Sequence, residues 1–135
     1  MADHPNAAVM RQLHTAFSNG DLDGALATFT DDAVWYTAGK SPVSGESRGK
    51  DQIRALFMKL MELSEGTFRA ELHDITASDD HAVYLGRDKG QRSGGKSLDE
   101  PDTVVCHIRD GKISEAWQSA VNQDAWDSFW VDDIY

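Results

Sequence analysis

An α+β fold with a mostly antiparallel sheet is what this sequence predicts, because helical periods come first and hairpin-linked strand periods follow. Three observations carry that reading. Val9, Leu13, Ala16 and Phe17 recur at helical spacing, and so do Ile53, Leu56, Phe57, Leu60 and Met61. From Thr67 onward, segments of strand composition alternate with turn signals at Asp79-Asp80, Ser93-Gly94-Gly95 and Asp110-Gly111. The 135 residues suit one domain over 1–135, and a hydrophobic content of 40% supplies one core.

Pro5 suits the first turn of a helix, with Asp3 or His4 before it. Val9, Leu13, Ala16 and Phe17 form its apolar stripe, and Met10 and His14 lie beside it. Asn19-Gly20 stops this helix, since glycine accepts the left-handed conformation that ends helices. Asp21 can cap a second short helix that carries Leu22, Ala25, Leu26 and Phe29. Asp31-Asp32 breaks that period, and Ala33-Val34-Trp35-Tyr36 has strand composition. Residues 37–49, with their glycines, serines and Pro42, read as a loop. An amphipathic helix follows over 50–63, and Gly66 ends it. Four strands are then expected over 67–76, 82–89, 103–109 and 112–121. Trp126, Phe129 and Trp130 place a short terminal helix over 124–130, with Asp124 as its cap.

Charge narrows the partners. Thirteen basic against 23 acidic residues leave a net charge of -10, with Asp124, Asp127, Asp132 and Asp133 dense near the C-terminus. Such a field repels polyphosphates, so nucleic acid is not an expected partner. No apolar run approaches the roughly 20 residues of a membrane-spanning helix, and Met1-Ala2-Asp3-His4-Pro5 is not a secretory leader. With Cys106 the lone cysteine, no internal disulfide can form, which is compatible with a cytoplasmic protein. The histidines lack metal-ligand spacing and no phosphate-binding glycine loop is present, so neither metal nor cofactor is expected.

Two blocks resemble a known family. They are Phe17-Ser18-Asn19-Gly20-Asp21-Leu22-Asp23-Gly24-Ala25-Leu26, continuing through Phe29 to Asp31-Asp32-Ala33-Val34-Trp35, and Arg109-Asp110-Gly111-Lys112-Ile113-Ser114-Glu115-Ala116-Trp117. Both are similar to the SnoaL-like branch of the nuclear transport factor 2 superfamily, which includes ketosteroid isomerases, limonene-epoxide-hydrolase-like enzymes and polyketide cyclases. The resemblance implies a cone-shaped α+β barrel, its curved sheet packed on the N-terminal helices. It also implies a pocket between the first helix and the concave face.

Carried over from the isomerases, the tyrosine position falls on Leu13, the base position on Thr37 and the acid position on Val104. Leucine and valine hold no ionisable proton and threonine is a poor base, so the steroid-isomerase mechanism is disfavoured. Strand alternation then selects the candidate lining. Trp35 and Thr37 share a face, Val104 shares one with Cys106 and Ile108, and Gln118 shares one with Ala116. Tyr36 enters if the alignment slips by one residue, and His14 reaches in from the first helix.

His73 is the candidate proton acceptor, since imidazole titrates near neutrality. Arg87 shares the parity of Val83 and Leu85, taken as core positions, and is the candidate oxyanion partner. The alternatives are an outward His73 and a solvated Arg87. Cys106 reads as a small core residue, and His107 as an outer-face residue. An epoxide hydrolase would need two inward acids with an arginine, and the sequence reading finds no inward acid pair.

The expected function is a small cofactor-independent enzyme acting on a hydrophobic oxygenated metabolite, by isomerisation, cyclisation or epoxide opening. The alternative is a non-catalytic small-molecule-binding or protein-association domain of the same fold. An inward polar cluster would favour the enzyme, and a wholly apolar pocket the binder. Val105 and Trp117 face outward by the same count, so a homodimer through the outer face of the sheet is also expected.

Overall fold

A computed structural model describes residues 4–132. Asp3 and Asp133, named above, lie outside the described residues. The first helix, α1 (Pro5–Ser18), starts at the proline, and His4 is its cap, its Nδ1 accepting from the Asn6 amide at 3.1 Å. Its buried stripe is Ala7, Met10, Leu13 and Ala16, while Val9 and Phe17 are only half-buried. The stripe is therefore turned toward Met10 relative to the expected one. A second helix, α2 (Leu22–Leu26), is capped by Asp21, which accepts from the Gly24 amide at 2.9 Å. Phe29 is not helical, because it already opens β1 (Phe29–Thr37), and that strand absorbs Asp31-Asp32 at a register shift.

Residues 37–49 are not all loop. Gly45–Arg48 form a short edge strand, β2, antiparallel to β1. Its residues are largely exposed, so it carries no apolar alternation for a sequence reading to detect. Helix α3 (Gly49–Leu63) follows and buries Ile53, Leu56, Phe57 and Leu60. The strands β3 (Arg69–Ala77), β4 (His81–Arg92), β5 (Lys96–Arg109) and β6 (Lys112–Ala120) complete the sheet. β4 and β5 run longer than expected and meet in a tight turn, with Gly94 and Gly95 at positive φ. β5 continues through Pro101, whose missing amide proton argues against a strand in sequence alone.

The helix α4 (Gln123–Trp130) closes the described chain. Asn122 caps it, accepting from the Ala125 amide at 3.1 Å; Asp124 lies inside the first turn instead.

The six strands run in the order β2-β1-β6-β5-β4-β3, antiparallel throughout except for the parallel pair β1 and β6. The ends do not pair, so the sheet is an unclosed curve. Its concave side holds the core: α1 lies over β3 and β4, α3 over β1, and α4 against β5. No helix among the described residues is long and apolar enough to cross a membrane.

Candidate functional site

Register builds the site. Tyr84 on β4 pairs with Val104 on β5, Val104 with Gln118 on β6, and Gln118 with Thr37 on β1. The four side chains form one row across the concave face. The next row toward α4 is Gly86, Asp102 and Ala120, and Asp88 lies beyond Gly86 on the same face. Met10, Leu13, His14 and Phe17 of α1, Leu56, Phe57 and Leu60 of α3, and Trp35, Phe68, Ala70 and Trp126 complete the walls. Together they enclose a cavity of about 90 Å³.

Six of the sequence candidates line this cavity: Leu13, His14, Trp35, Thr37, Val104 and Gln118. Tyr36 does not. It points to the convex side and stacks on Trp117 with ring centroids 5.5 Å apart and planes 7° from parallel.

The two candidates for chemistry lie elsewhere, which corrects the sequence reading. His73 is exposed and is the extra residue of a bulge, since Leu72 pairs with Gly86 and Asp74 with Leu85. Arg87 is exposed and bonds Asp99 across the β4–β5 ladder at 2.5 Å. The parity of β4 was read one residue off. Ala82, Tyr84 and Asp88 face the core, and Val83, Leu85 and Arg87 face out. Both sets contain apolar residues, so alternation alone did not choose between them.

That one-residue change brings in the group the sequence reading missed. Asp88 and Asp102 are both buried in the cavity wall. Asp102 has the parity of Val104, Cys106 and Ile108, and extending β5 one residue back from Thr103 would have found it. Burial pushes the Asp88 carboxyl up to about 6, opposed by hydrogen bonds from Asp102 and Trp126. Burial pushes Asp102 up to about 10; the neighbouring Asp88 charge and the hydrogen bond between the two carboxyls add to this, against a bond from Gln118. No arginine or lysine lines the cavity among the described residues. Two adjacent carboxylates with no cation to offset them do not ionise together easily, so burial and mutual repulsion make the pair, as a unit, hold a shared proton above the ordinary carboxylate range.

Other polar atoms frame the pair. The Trp126 indole donates to Asp88 Oδ2 at 3.1 Å, and the Gln118 amide nitrogen donates to Asp102 Oδ1. His14 Nε2 donates to the Ala70 carbonyl at 2.7 Å, which commits that nitrogen to the α1–β3 contact. Three buried atoms of the wall have no partner: Thr37 Oγ1, Tyr84 Oη and Gln118 Oε1. Burial, then the nearby Asp88 and Asp102, push the Tyr84 phenol upward, so it stays a donor. Gly86 makes room for that hydroxyl: a Cβ there would stand 2.3 Å from Tyr84 Oη and 2.5 Å from the Glu71 carbonyl oxygen. Cys106 is fully buried and its thiol is pushed up to about 12 by burial, which makes it a packing residue.

The model of the SnoaL-like domain matches residues 10–116, which take in α1 through most of β6. The chain belongs to the SnoaL-like domain family. An uncharacterized protein of Mycobacterium tuberculosis is 25% identical to this SnoaL-like chain over 131 residues, covering 97% of it and all of the relative. The structure of a protein from a soil-derived mobile gene cassette superposes with a TM-score of 0.90 at 30% identity, covering 94% of this chain and 97% of that one. A Jannaschia sp. CCS1 protein assigned as a SnoaL-like polyketide cyclase superposes with a TM-score of 0.77 at 17% identity, over 96% and 94% of the two chains. That last likeness concerns the fold alone.

Proposed function

We propose that the cavity is the active site of a small cofactor-independent enzyme that moves protons on a hydrophobic, oxygen-bearing metabolite, as isomerases and cyclases do. One observation carries the reading: two buried carboxyls with no neighbouring cation stand in the wall of a largely apolar cavity that also holds the unpaired Tyr84 and Thr37 hydroxyls. A buried pair of this kind is costly to keep for packing alone, and it gives one site both a base and an acid.

The ionised Asp88 takes a proton from a carbon beside a carbonyl. The C–H electron pair becomes the enolate double bond and the carbonyl π pair moves onto the oxygen, which accepts hydrogen bonds from the free Tyr84 and Thr37 hydroxyls. The proton then returns from Asp88 to a different carbon, which is isomerisation, or the enolate carbon attacks a second carbonyl and the new alkoxide takes the proton, which is cyclisation. Epoxide opening of the limonene type is less well supported, because the two acids have no cavity arginine beside them. A purely binding domain would be better served by a wholly apolar wall.

The test is exchange of the α-protons of a hydrophobic β-diketone into heavy water, followed by NMR. The protein should accelerate exchange, and Asp88→Asn should lower the rate by roughly 10²- to 10⁴-fold, as for loss of a general base. Exchange that Asp88→Asn and Asp102→Asn both leave untouched would overturn the assignment.

The reading also includes a homodimer through the convex face. Val83, Val105, Trp117 and Tyr36 are cross-strand neighbours in one row there. Val105 and Trp117 are each 36% exposed, an apolar band that a second copy would cover.

A further inference from the structure

The cavity at the acid pair is small. About 90 Å³ is a fraction of the roughly 300–1,000 Å³ of pockets that hold drug-sized molecules. A second, wider groove of about 590 Å³ lies against it, between the end of α1, the outer turns of α3 and the start of β3. Phe17, Phe57, Phe68 and Ala70 line both. The two spaces are separated by side chains rather than by backbone.

Phe17 is the least buried of the three rings in that partition. It is half-buried, in the last turn of α1, whereas Phe57 and Phe68 are buried. Its ring meets Phe57 edge-on at 5.3 Å and Phe68 edge-on at 6.0 Å. A rotamer change at a helix end costs little, and here it would join cavity to groove. Beyond Phe17 the groove is lined by Leu22, Met58 and Met61 together with Ser18, Asn19, Gly20 and Arg69. Met58 is 53% exposed. Methionines adapt to irregular apolar chains.

We propose that this groove is the outer half of the ligand site and holds the apolar tail of an uncharged, oxygen-headed molecule whose head reaches Asp88 and Asp102, with Phe17 as the gate between the two. The inference rests on the reading of the cavity as a ligand site. The head is uncharged because the pair already carries one negative charge without a cation, inside a chain of net charge -10. The tail is apolar because phenylalanine, leucine, methionine and alanine make most of the groove, with Ser18, Asn19 and Arg69 as its polar part.

The test uses methyl ketones of increasing chain length: methyl ethyl, methyl hexyl and methyl octyl ketone. Binding is followed by tryptophan fluorescence, since Trp35 and Trp126 line the cavity. Once the chain passes Phe17, affinity should rise about fourfold per added methylene. Met58→Asp, a change in the groove lining, should flatten that rise. Phe17→Ala should speed association of all three. Affinity that stops rising before methyl octyl ketone, an equal rise in Met58→Asp, or failure of every ketone to bind would each overturn the proposal. Proton exchange on methyl ethyl ketone keeps the two readings apart. Exchange without chain-length dependence removes the groove and leaves the chemistry; chain-length dependence without exchange removes the chemistry and leaves the groove.

Discussion

The Trp126 indole Nε1 donates to Asp88 Oδ2 at 3.1 Å, so the last helix holds the carboxylate assigned as the base. That helix is itself clamped. Arg92 and Lys96 donate to the carbonyls of Phe129 and Ser128 at its C-terminal end, at 2.7 and 2.9 Å, and Asp127 accepts from the Lys40 amide at 3.0 Å. Cations on terminal carbonyls are favourable against the helix dipole. Trp126→Phe keeps the ring packing and removes the donor. The ionised form of Asp88 loses a stabilising bond, so its carboxyl should titrate higher than about 6 and the acid limb of the proton-exchange profile should move to higher pH. Isotope-edited carboxyl NMR reads the same shift without turnover. The cost in stability should be about 1–3 kcal/mol. An unmoved profile would remove Trp126 as a positioning residue.

Stability should fall as pH rises. Both carboxyls titrate above their unfolded values, so the folded chain binds more protons than the unfolded chain above the ordinary carboxylate range. Their contribution is complete below that range and is lost as pH passes about 6 for Asp88 and about 10 for Asp102. Asp102→Asn mimics the protonated side chain, since its amide still donates to Asp88 and its oxygen still accepts from Gln118. Its melting temperature should gain on the wild type as pH is raised from roughly 5 to 9. Parallel melting curves over that range would count against a shared proton.

Gly86→Ala tests the niche behind Tyr84. The added Cβ collides with a hydroxyl and a backbone carbonyl, so Tyr84 must swing and the strand must shift. Destabilisation of about 1–3 kcal/mol is expected from denaturant melts. Tyr84→Phe in the same chain should recover part of it, because the nearest of the three clashing atoms is gone while the ring Cε1 and the Glu71 carbonyl oxygen stay. Full additivity of the two changes would show that the hydroxyl does not occupy the niche.

His73→Ala and Arg87→Lys should both be quiet. These side chains are exposed, and neither lines the cavity, so stability should stay within about 0.5 kcal/mol and proton exchange should not change. A tenfold loss in either variant would return them to the mechanism.

Trp117→Glu should give a monomer in sedimentation equilibrium with the fold retained. The residue is in the middle of the convex apolar row, where a buried charge without a partner opposes association. A wild type that already sediments as a monomer at micromolar concentration would remove the dimer.

Read alone, the sequence determined the four helices, the cap at Asp21, the turn at Asp110-Gly111 and the order of elements apart from β2, because these depend on neighbours a few residues apart. It also put Trp35, Thr37, Val104 and Gln118 on a common face, through strand alternation counted from the family's positions, with Tyr36 left as the alternative. What it left open was β4, where Ala82 and Tyr84 on one face compete with Val83 and Leu85 on the other. It also left open the extent of β5, where Pro101 masks the seven further residues, 96–102, that include Asp102. Only tertiary structure decided those points. Pairing across β3, β4 and β5 sets which face of β4 meets α1, and burial beside a second carboxyl turns Asp88 and Asp102 from ordinary surface-type acids into one proton-sharing pair. Neither partner contact nor desolvation is a property of a residue's near neighbours, which is why the acid pair was legible only after the strands were paired.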